Sequence, residues 1–189
     1  MNKLIDQIET VYRNLFKHSD FIPLHEPCFS GNEKQYVADC IESTFVSSVG
    51  AYVNKFQDMI SDFSGAKYAV ATTNGTSALH LAMVVNSIGQ NDEVICPDLT
   101  FVATAAAIAY TGADPVFLDV EEETLGLNPD VVESFIQENT ELKNGYRYNK
   151  HTGKRIAACI PMHNVGFPVR IKELKAICDT YNIILIEDA

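Results

Sequence analysis

The sequence predicts an α/β fold in which a parallel sheet is covered by helices on both faces. From residue 68 onwards, short aliphatic segments alternate with longer segments of helical period, as in consecutive strand–helix units. The last aliphatic segment, residues 183–186, has four large aliphatic side chains in a row, which is typical of a strand buried on both faces. A chain of 189 residues with 47% hydrophobic content can form a core of this kind.

Three helices are predicted ahead of the alternating segments. Residues 1–20 are expected to form a separate amphipathic helix, because four apolar side chains recur there at helical spacing: Leu4, Ile8, Val11 and Leu15. Ser30 and Glu33 fit a capping box that opens the second helix. A serine-rich break at 45–50 precedes the third helix, which Gly65 would end. Residues 21–189 are expected to be the incomplete N-terminal part of one large domain.

The alternating segments can be assigned in chain order. Strands are predicted at 68–72, 93–96, 116–119, 156–160 and 183–186, and helices at 76–88, 101–110, from Pro129 onwards and at 171–181. A polar stretch at 139–155 is expected to be an exposed insertion. Because strand–helix–strand connections join parallel strands, this order predicts a parallel sheet. Such sheets bind ligands at the carboxyl ends of their strands.

Composition excludes several classes of function. The formal net charge of −11 and the pI near 4.8 argue against a nucleic-acid or anionic-membrane partner. The five cysteines show no CxxC pair and no clustering with histidine, so no metal site is expected. They are expected to be free thiols in a cytoplasmic protein. No apolar run is long enough to cross a bilayer.

The segment TTNGTS joins a predicted strand to a predicted helix. Gly75 can adopt backbone conformations closed to other residues, and the N–H groups and hydroxyls that follow, from Thr76 and Ser77, suit a phosphate at a helix N-terminus. The alternative is an ordinary N-cap, which serine and threonine form in many helices. The segment is neither a Walker loop nor a GxGxxG motif.

Three further residues lie at predicted strand ends. Phe101 could stack on a flat cofactor ring or belong to the core. Asp188 could hold a protonated ring nitrogen, or it could cap a helix or form a hydrogen bond within a loop. His163 follows another strand, although a lone histidine is more often structural than catalytic. A phosphate site, a stacking aromatic and an acid for a ring nitrogen together describe a pocket for pyridoxal 5′-phosphate (PLP).

Four segments resemble the sugar-nucleotide aminotransferases of the DegT–DnrJ–StrS family, which are fold-type-I PLP enzymes. They are TTNGTSALHLAM, DEVICPDLTFVATAAAIAYTGADPVFLDV, IPMHNVGFP and IILIEDA, and the earlier segments IPLHEPCFSGNE and FVSSVG also match. The resemblance covers about residues 21–189. It implies the three-layer, parallel-sheet large domain of that fold, cut off before the C-terminal domain.

The resemblance implies a cofactor role for seven residues. The cofactor phosphate would bind Gly75, Thr76 and Ser77, the pyridine ring would stack on Phe101, its nitrogen would pair with Asp188, and the pocket would be lined by Thr104 and His163. In the family, the Schiff-base lysine follows the acid matched by Asp188, and this chain ends first, at Ala189. No catalytic residue is therefore expected in this chain, which alone would be inactive.

The implied activity of the longer parent is transfer of an amino group, from glutamate, to a 4-keto sugar nucleotide in surface-polysaccharide or nonulosonic acid synthesis. The insertion YRYNKHTGKRIAA resembles the branch that acts on UDP-linked 4-keto-6-deoxy-hexosamines, as in legionaminic acid synthesis. Pockets of this family are completed across a dimer interface, so a homodimer is implied. Two alternatives stay open: a PLP-dependent sugar dehydratase with histidine replacing the lysine, and a non-catalytic binding module.

Overall fold

A computed structural model describes residues 2–16 and 27–189 of the chain. The described part forms two compact units, with the boundary between Ala69 and Val70. The domain boundary expected after residue 20 and the start of the segment IPLHEPCFSGNE lie outside the described residues. That domain boundary therefore stays a prediction.

The first unit contains the three predicted helices: α1 (Asn2–Phe16), α2 (Glu33–Glu42) and α3 (Ala51–Ser64). Gly65 ends α3 with a left-handed backbone (φ 71°), as glycine at this position predicts. The capping box is wrong in detail, because α2 begins at Glu33 itself and its N-cap is Asn32. The Glu33 carboxylate accepts the backbone N–H of Gly31 at 2.9 Å, so it closes a shorter loop than the motif requires.

The second unit alternates helices and strands. Its helices are α4 (Gly75–Val85), α5 (Val102–Tyr110), α6 (Pro129–Asn139) and α7 (Ile171–Tyr181), with a short 3₁₀ turn at Asn164–Gly166. Its strands are β1 (Asp92–Pro97), β2 (Asp114–Leu118), β3 (Thr140–Lys143), β4 (Tyr146–Asn149), β5 (Arg155–Cys159) and β6 (Ile184–Leu185). Helix α6 begins as predicted, with Pro129 in its first turn and the Asn128 side chain accepting the N–H of Asp130.

The sheet lies between two layers of helices. Strands β2, β1, β5 and β6 are parallel neighbours in that order, and the antiparallel strands β4 and β3 continue the sheet from the start of β5. Buried side chains of α4 and α5 share one core cluster with the sheet, and those of α6 and α7 share the other. The predicted three-layer α/β architecture is confirmed, although the sheet is mixed rather than wholly parallel.

The last predicted strand contributes to both cores. Ile184 and Ile186 pack against the α4–α5 cluster, whereas Ile183 and Leu185 belong to the α6–α7 side. This alternation is what a strand with two covered faces requires. Of the four residues only Ile183 is fully buried, and β6 hydrogen-bonds to β5 alone among the described residues.

The strand predicted at the boundary between the two units is wrong. Residues 68–72 form no strand, and the apolar side chains Tyr68 and Val70 are 76% and 69% exposed. An extended segment counts as a strand only when another strand hydrogen-bonds to it, and the described residues supply none. Residues 139–155 are mostly exposed, as predicted, but they are not irregular: most of them form the β3–β4 hairpin, whose Asn149 is buried and donates to Glu93 at 2.8 Å.

Candidate active site at the carboxyl edge of the sheet

The segments that follow β5 and β6 run side by side at the carboxyl edge of the sheet. Met162 and Asp188 form a parallel bridge. The backbone N–H of Asp188 donates to Pro161 at 3.0 Å, and the N–H of His163 donates to the carbonyl of Asp188 at 2.9 Å. This pairing fixes the backbone of Asp188 beyond the end of β6 and leaves its side chain half-buried at the edge.

A threonine on helix α5 holds the Asp188 carboxylate. The hydroxyl of Thr104 donates to Asp188 Oδ2 at 2.6 Å, across 84 positions of sequence. Thr104 is fully buried, so the hydrogen bond forms on the protein side of the carboxylate. Thr100 Oγ1 lies 2.9 Å from Thr104 Oγ1 and extends the same hydrogen-bonded chain.

Phe101 is not a core residue. Its side chain is 69% exposed, which rules out the alternative interpretation of this position. Its backbone N–H points to the sulfur of Met162 at 3.4 Å, and the hydroxyl of Thr100 lies 3.3 Å from the same sulfur. Met162 therefore connects the start of α5 to the segment paired with Asp188, and the exposed ring of Phe101 lies on that framework.

Helix α4 begins with an open N-terminus. The side chain of Asn74, and not a serine or threonine, is the N-cap: it accepts the backbone N–H of Ser77 at 2.8 Å. Within the described residues, the backbone N–H groups of Gly75 and Thr76 have no partner. Gly75 does not have a positive φ, so it does not use the conformational freedom that glycine offers, but a Cβ added there would meet nothing within 4 Å. The space over this helix terminus is open, and α4 packs against α5.

His163 is held by hydrogen bonds on both ring nitrogens. The backbone N–H of Val169 donates to Nδ1 at 3.2 Å, and Nε2 lies 3.2 Å from the Glu187 carboxylate. Because Nδ1 accepts, the neutral ring carries its proton on Nε2, directed at Glu187. The side chain is only 17% exposed, so these contacts support the structural interpretation of this residue and leave the face of the ring for any ligand.

Four residues that organise this edge were not predicted from the sequence: Asn74, Thr100, Met162 and Glu187. Asn74 precedes a glycine and a helix, so its N-cap role could have been read from the sequence. The other three act through contacts between residues distant in sequence, for which no local pattern exists.

Among residues 2–16 and 27–189, no group of three or more His, Cys, Asp or Glu side chains could hold a metal ion. The five cysteines, all in that described part, are free, and burial raises the pKa of the Cys96 thiol to about 12.

None of the helices that the structure describes is long and apolar enough to cross a membrane.

Known proteins resemble this chain over most of its length. GDP-perosamine synthase of Escherichia coli O157:H7 is 34% identical over 168 residues, and GDP-perosamine synthase of Vibrio cholerae is 38% identical over 167. These matches cover 89% and 88% of this chain, but only 42% and 41% of the two enzymes. The solved aminotransferase of Psychrobacter cryohalolentis superposes with a TM-score of 0.72 at 28% identity, covering 89% of this chain and 38% of that one.

The family assignment follows from a match to nearly the whole described chain. The model of the DegT/DnrJ/EryC1/StrS aminotransferase family matches residues 27–189, which include every residue of the edge described above. The chain belongs to the DegT/DnrJ/EryC1/StrS aminotransferase family.

Proposed function

We propose that this chain forms the cofactor-binding part of a PLP-dependent aminotransferase that transfers an amino group from glutamate to a 4-keto sugar nucleotide. Membership of an aminotransferase family supports the reaction type. Relatives named for a GDP-linked amino sugar support a sugar nucleotide as substrate. The chain spans about 40% of those relatives' length, so the activity is assigned to the protein of which it is part.

The start of α4 fits the cofactor phosphate. Gly75 and Thr76 offer two unpaired backbone N–H groups, and the hydroxyls of Thr76 and Ser77 lie in the same turn. An anion is favoured at a helix N-terminus by these groups and by the helix dipole. The open space at the Cβ position of Gly75 leaves room for a phosphate to approach the backbone.

Phe101 and Asp188 fit the cofactor ring. The exposed Phe101 ring offers a stacking surface, and Asp188 would hold the protonated ring nitrogen through the carboxylate oxygen that Thr104 leaves free. His163 would contact the ligand through its ring face, because both of its nitrogens are engaged. When bound, PLP supplies the electron-withdrawing ring that amino-group transfer requires.

One observation carries this proposal: a single framework connects the stacking residue to the acid. Phe101 contacts Met162, which is bridged to Asp188, while Thr104 on the same helix donates to the Asp188 carboxylate. The two residues that would contact the ring thus belong to one hydrogen-bonded arrangement at a strand edge, where parallel sheets bind ligands.

For the substrate we propose a UDP-linked 4-keto-6-deoxy-hexosamine, as in legionaminic acid synthesis. The support is the resemblance of residues 146–158 to that branch, and these residues include β4 and most of β5. The relatives are named as synthases of a GDP-linked sugar, which makes the nucleotide the part of the proposal to test first. Amino transfer from glutamate in the protein containing this chain should favour the UDP sugar. A rate with GDP-4-keto-6-deoxymannose equal to or higher than that with the UDP sugar would instead group the protein with enzymes of GDP-linked sugars.

We further propose that the protein is a cytoplasmic homodimer. Helix α5 has no charged residue and α4 has only His80, so neither has the polar face of a solvent-exposed helix. Their outer positions leave large apolar side chains exposed: Leu81, Val84, Val85, Val102 and Tyr110. A second copy covering this surface would remove it from water. Analytical ultracentrifugation should give a mass of two chains, and a monomer at micromolar concentration would contradict the proposal.

Cofactor binding can be tested on the chain directly. Pyridoxamine 5′-phosphate needs no lysine, so calorimetric titration measures the site alone. Asp188→Asn should weaken binding at least tenfold, because it removes a charged partner of the ring nitrogen. Asp179→Asn, an exposed acid on α7, is the matched control and should bind like the wild type. Equal affinity of Asp188→Asn and wild type, or no binding by either, would refute the proposed site.

A further inference from the structure

Two threonine hydroxyls lie in line behind the Asp188 carboxylate. Thr104 has one hydroxyl proton, and an ionised carboxylate can only accept, so that proton is donated to Asp188 Oδ2. Thr100 also has one hydroxyl proton, and two acceptors lie within its reach: Thr104 Oγ1 at 2.9 Å and the Met162 sulfur at 3.3 Å. Because a thioether sulfur is the weaker acceptor, Thr100 is the donor in its contact with Thr104. The order of donation is therefore Thr100 to Thr104 to Asp188.

The two oxygens of Asp188 differ as a result. Oδ2 is engaged by Thr104, whereas Oδ1 has no partner among the residues that the structure describes. The backbone of Asp188 is fixed by its own hydrogen bonds to Pro161 and His163, so the side-chain contact with Thr104 sets the remaining rotation of the carboxylate.

Thr104 is well suited to this role. It is fully buried, and its branched side chain is restricted at χ1 within a helix. Its backbone N–H also donates to the carbonyl of Phe101 at 3.1 Å, in the first turn of α5. The residue that orients the acid and the residue that would stack on the ring are therefore on one helical turn.

We propose that Thr104 is a positioning residue, whose hydroxyl, backed by Thr100, fixes the Asp188 carboxylate so that Oδ1 faces the ring nitrogen of the cofactor. The inference rests on the proposed function. In this role Thr104 acts on Asp188 without contacting the ligand. Removing its hydroxyl should therefore affect the binding of ligands that carry a ring nitrogen, and of those ligands alone.

The test compares two ligands that differ at one atom. Pyridoxamine 5′-phosphate and its 1-deaza analogue, in which C–H replaces the ring nitrogen, are titrated calorimetrically into the intact chain. The readout is the ratio of their dissociation constants, which a general loss of stability does not change. Thr104→Val should lower the preference for the nitrogen-containing ligand about tenfold, the size of one hydrogen bond to a charged group. Thr104→Ser should restore it.

The matched control is Thr140→Val. Thr140 is also buried, and its hydroxyl donates to the Ile136 carbonyl at 2.5 Å, at the start of the hairpin. This variant should lose stability and keep the wild-type ratio. If Thr104→Val does not fold, Thr100→Val removes the donor behind Thr104, and a two- to threefold loss of the ratio is then expected.

The outcomes separate this proposal from the one on which it rests. A wild type that prefers pyridoxamine 5′-phosphate, with folded threonine variants of unchanged ratio, would overturn the role of Thr104 and leave the cofactor site standing. A wild type that binds both ligands equally would overturn both the ring-nitrogen contact and the positioning role.

Discussion

Gly126→Ala tests how tightly the loop after β2 packs against the segment that holds His163. Gly126 is buried without a positive φ, so backbone strain is not the reason for glycine here. A Cβ at this position would lie 2.3 Å from Cγ1 and 3.0 Å from Cβ of Val169. Rotation of the valine could remove only the first clash, so one of the two backbones must move.

The magnitude follows from these contacts. Overpacking a well-packed site costs about 1–3 kcal/mol, and a clash of more than 1 Å with a buried neighbour belongs at the upper end, about 3 kcal/mol. Val169→Ala removes two buried methyl groups and should cost about 2 kcal/mol. In the double variant the Cγ1 clash is absent, so its total cost should be about 2–3 kcal/mol instead of the additive 5 kcal/mol.

The assay is urea unfolding of the four proteins of this double-mutant cycle, followed by circular dichroism. A coupling energy of about −2 to −3 kcal/mol is expected between the two sites. Additivity of the two single costs within about 0.5 kcal/mol would show that the loops do not contact each other in this way. Because the Val169 N–H donates to His163, Gly126→Ala should also change the NMR signals of the His163 ring.

Three further changes test other parts of the structure. Gly75→Ala should leave stability unchanged or slightly higher, because the added Cβ meets no atom. It should nevertheless weaken pyridoxamine 5′-phosphate binding, because the Cβ fills the space for the phosphate, and unchanged affinity would remove Gly75 from the site. Burial raises the pKa of Cys96 from 9.0 to about 12, so stability should fall between pH 9 and 12 by up to about 1.4 kcal/mol per pH unit. Cys96→Ala should reduce that slope, and identical slopes in wild type and variant would contradict this role of Cys96. Arg155→Met leaves the buried Asp92 carboxylate without its two guanidinium hydrogen bonds and should cost about 2–4 kcal/mol in urea unfolding, whereas a cost below about 0.5 kcal/mol would mean that water replaces them.

The sequence determined the helices well wherever local signals were complete. Helix α7 has the predicted bounds of 171 and 181, because an amphipathic period ends at Asn182, which caps the helix with a left-handed backbone. The strand predicted at 68–72 has the right residue types and is wrong, since hydrogen-bonded pairing depends on a neighbour that local sequence does not specify.

The hairpin could have been predicted. Asn144 and Gly145 form a two-residue connection in which both φ angles are positive, 52° and 85°, and Asn-Gly is the dipeptide that such hairpin turns prefer. The polar character of residues 139–155 hid this signal. Burial of Asn149 against Glu93 could not have been predicted in the same way, because it joins positions 56 apart.

At the candidate site, the sequence supplied residue types but not their arrangement. Phe101 and Asp188 were selected for their place at strand ends, and the structure connects them through Met162 and Thr104. Thr104 was expected among the pocket-lining residues, and its buried position behind Asp188 depends on how α5 packs on the sheet. Gly75 was selected for a backbone freedom that it does not use.

Gly75, Phe101 and Asp188 are proposed to contact one small molecule. A crystal structure of the chain with pyridoxamine 5′-phosphate would show whether they do. We expect the phosphate at the N–H groups of Gly75 and Thr76, the ring against Phe101, and the ring nitrogen about 2.7–2.9 Å from Asp188. A ligand bound with its phosphate away from the start of α4, or with its ring nitrogen out of reach of Asp188, would contradict it.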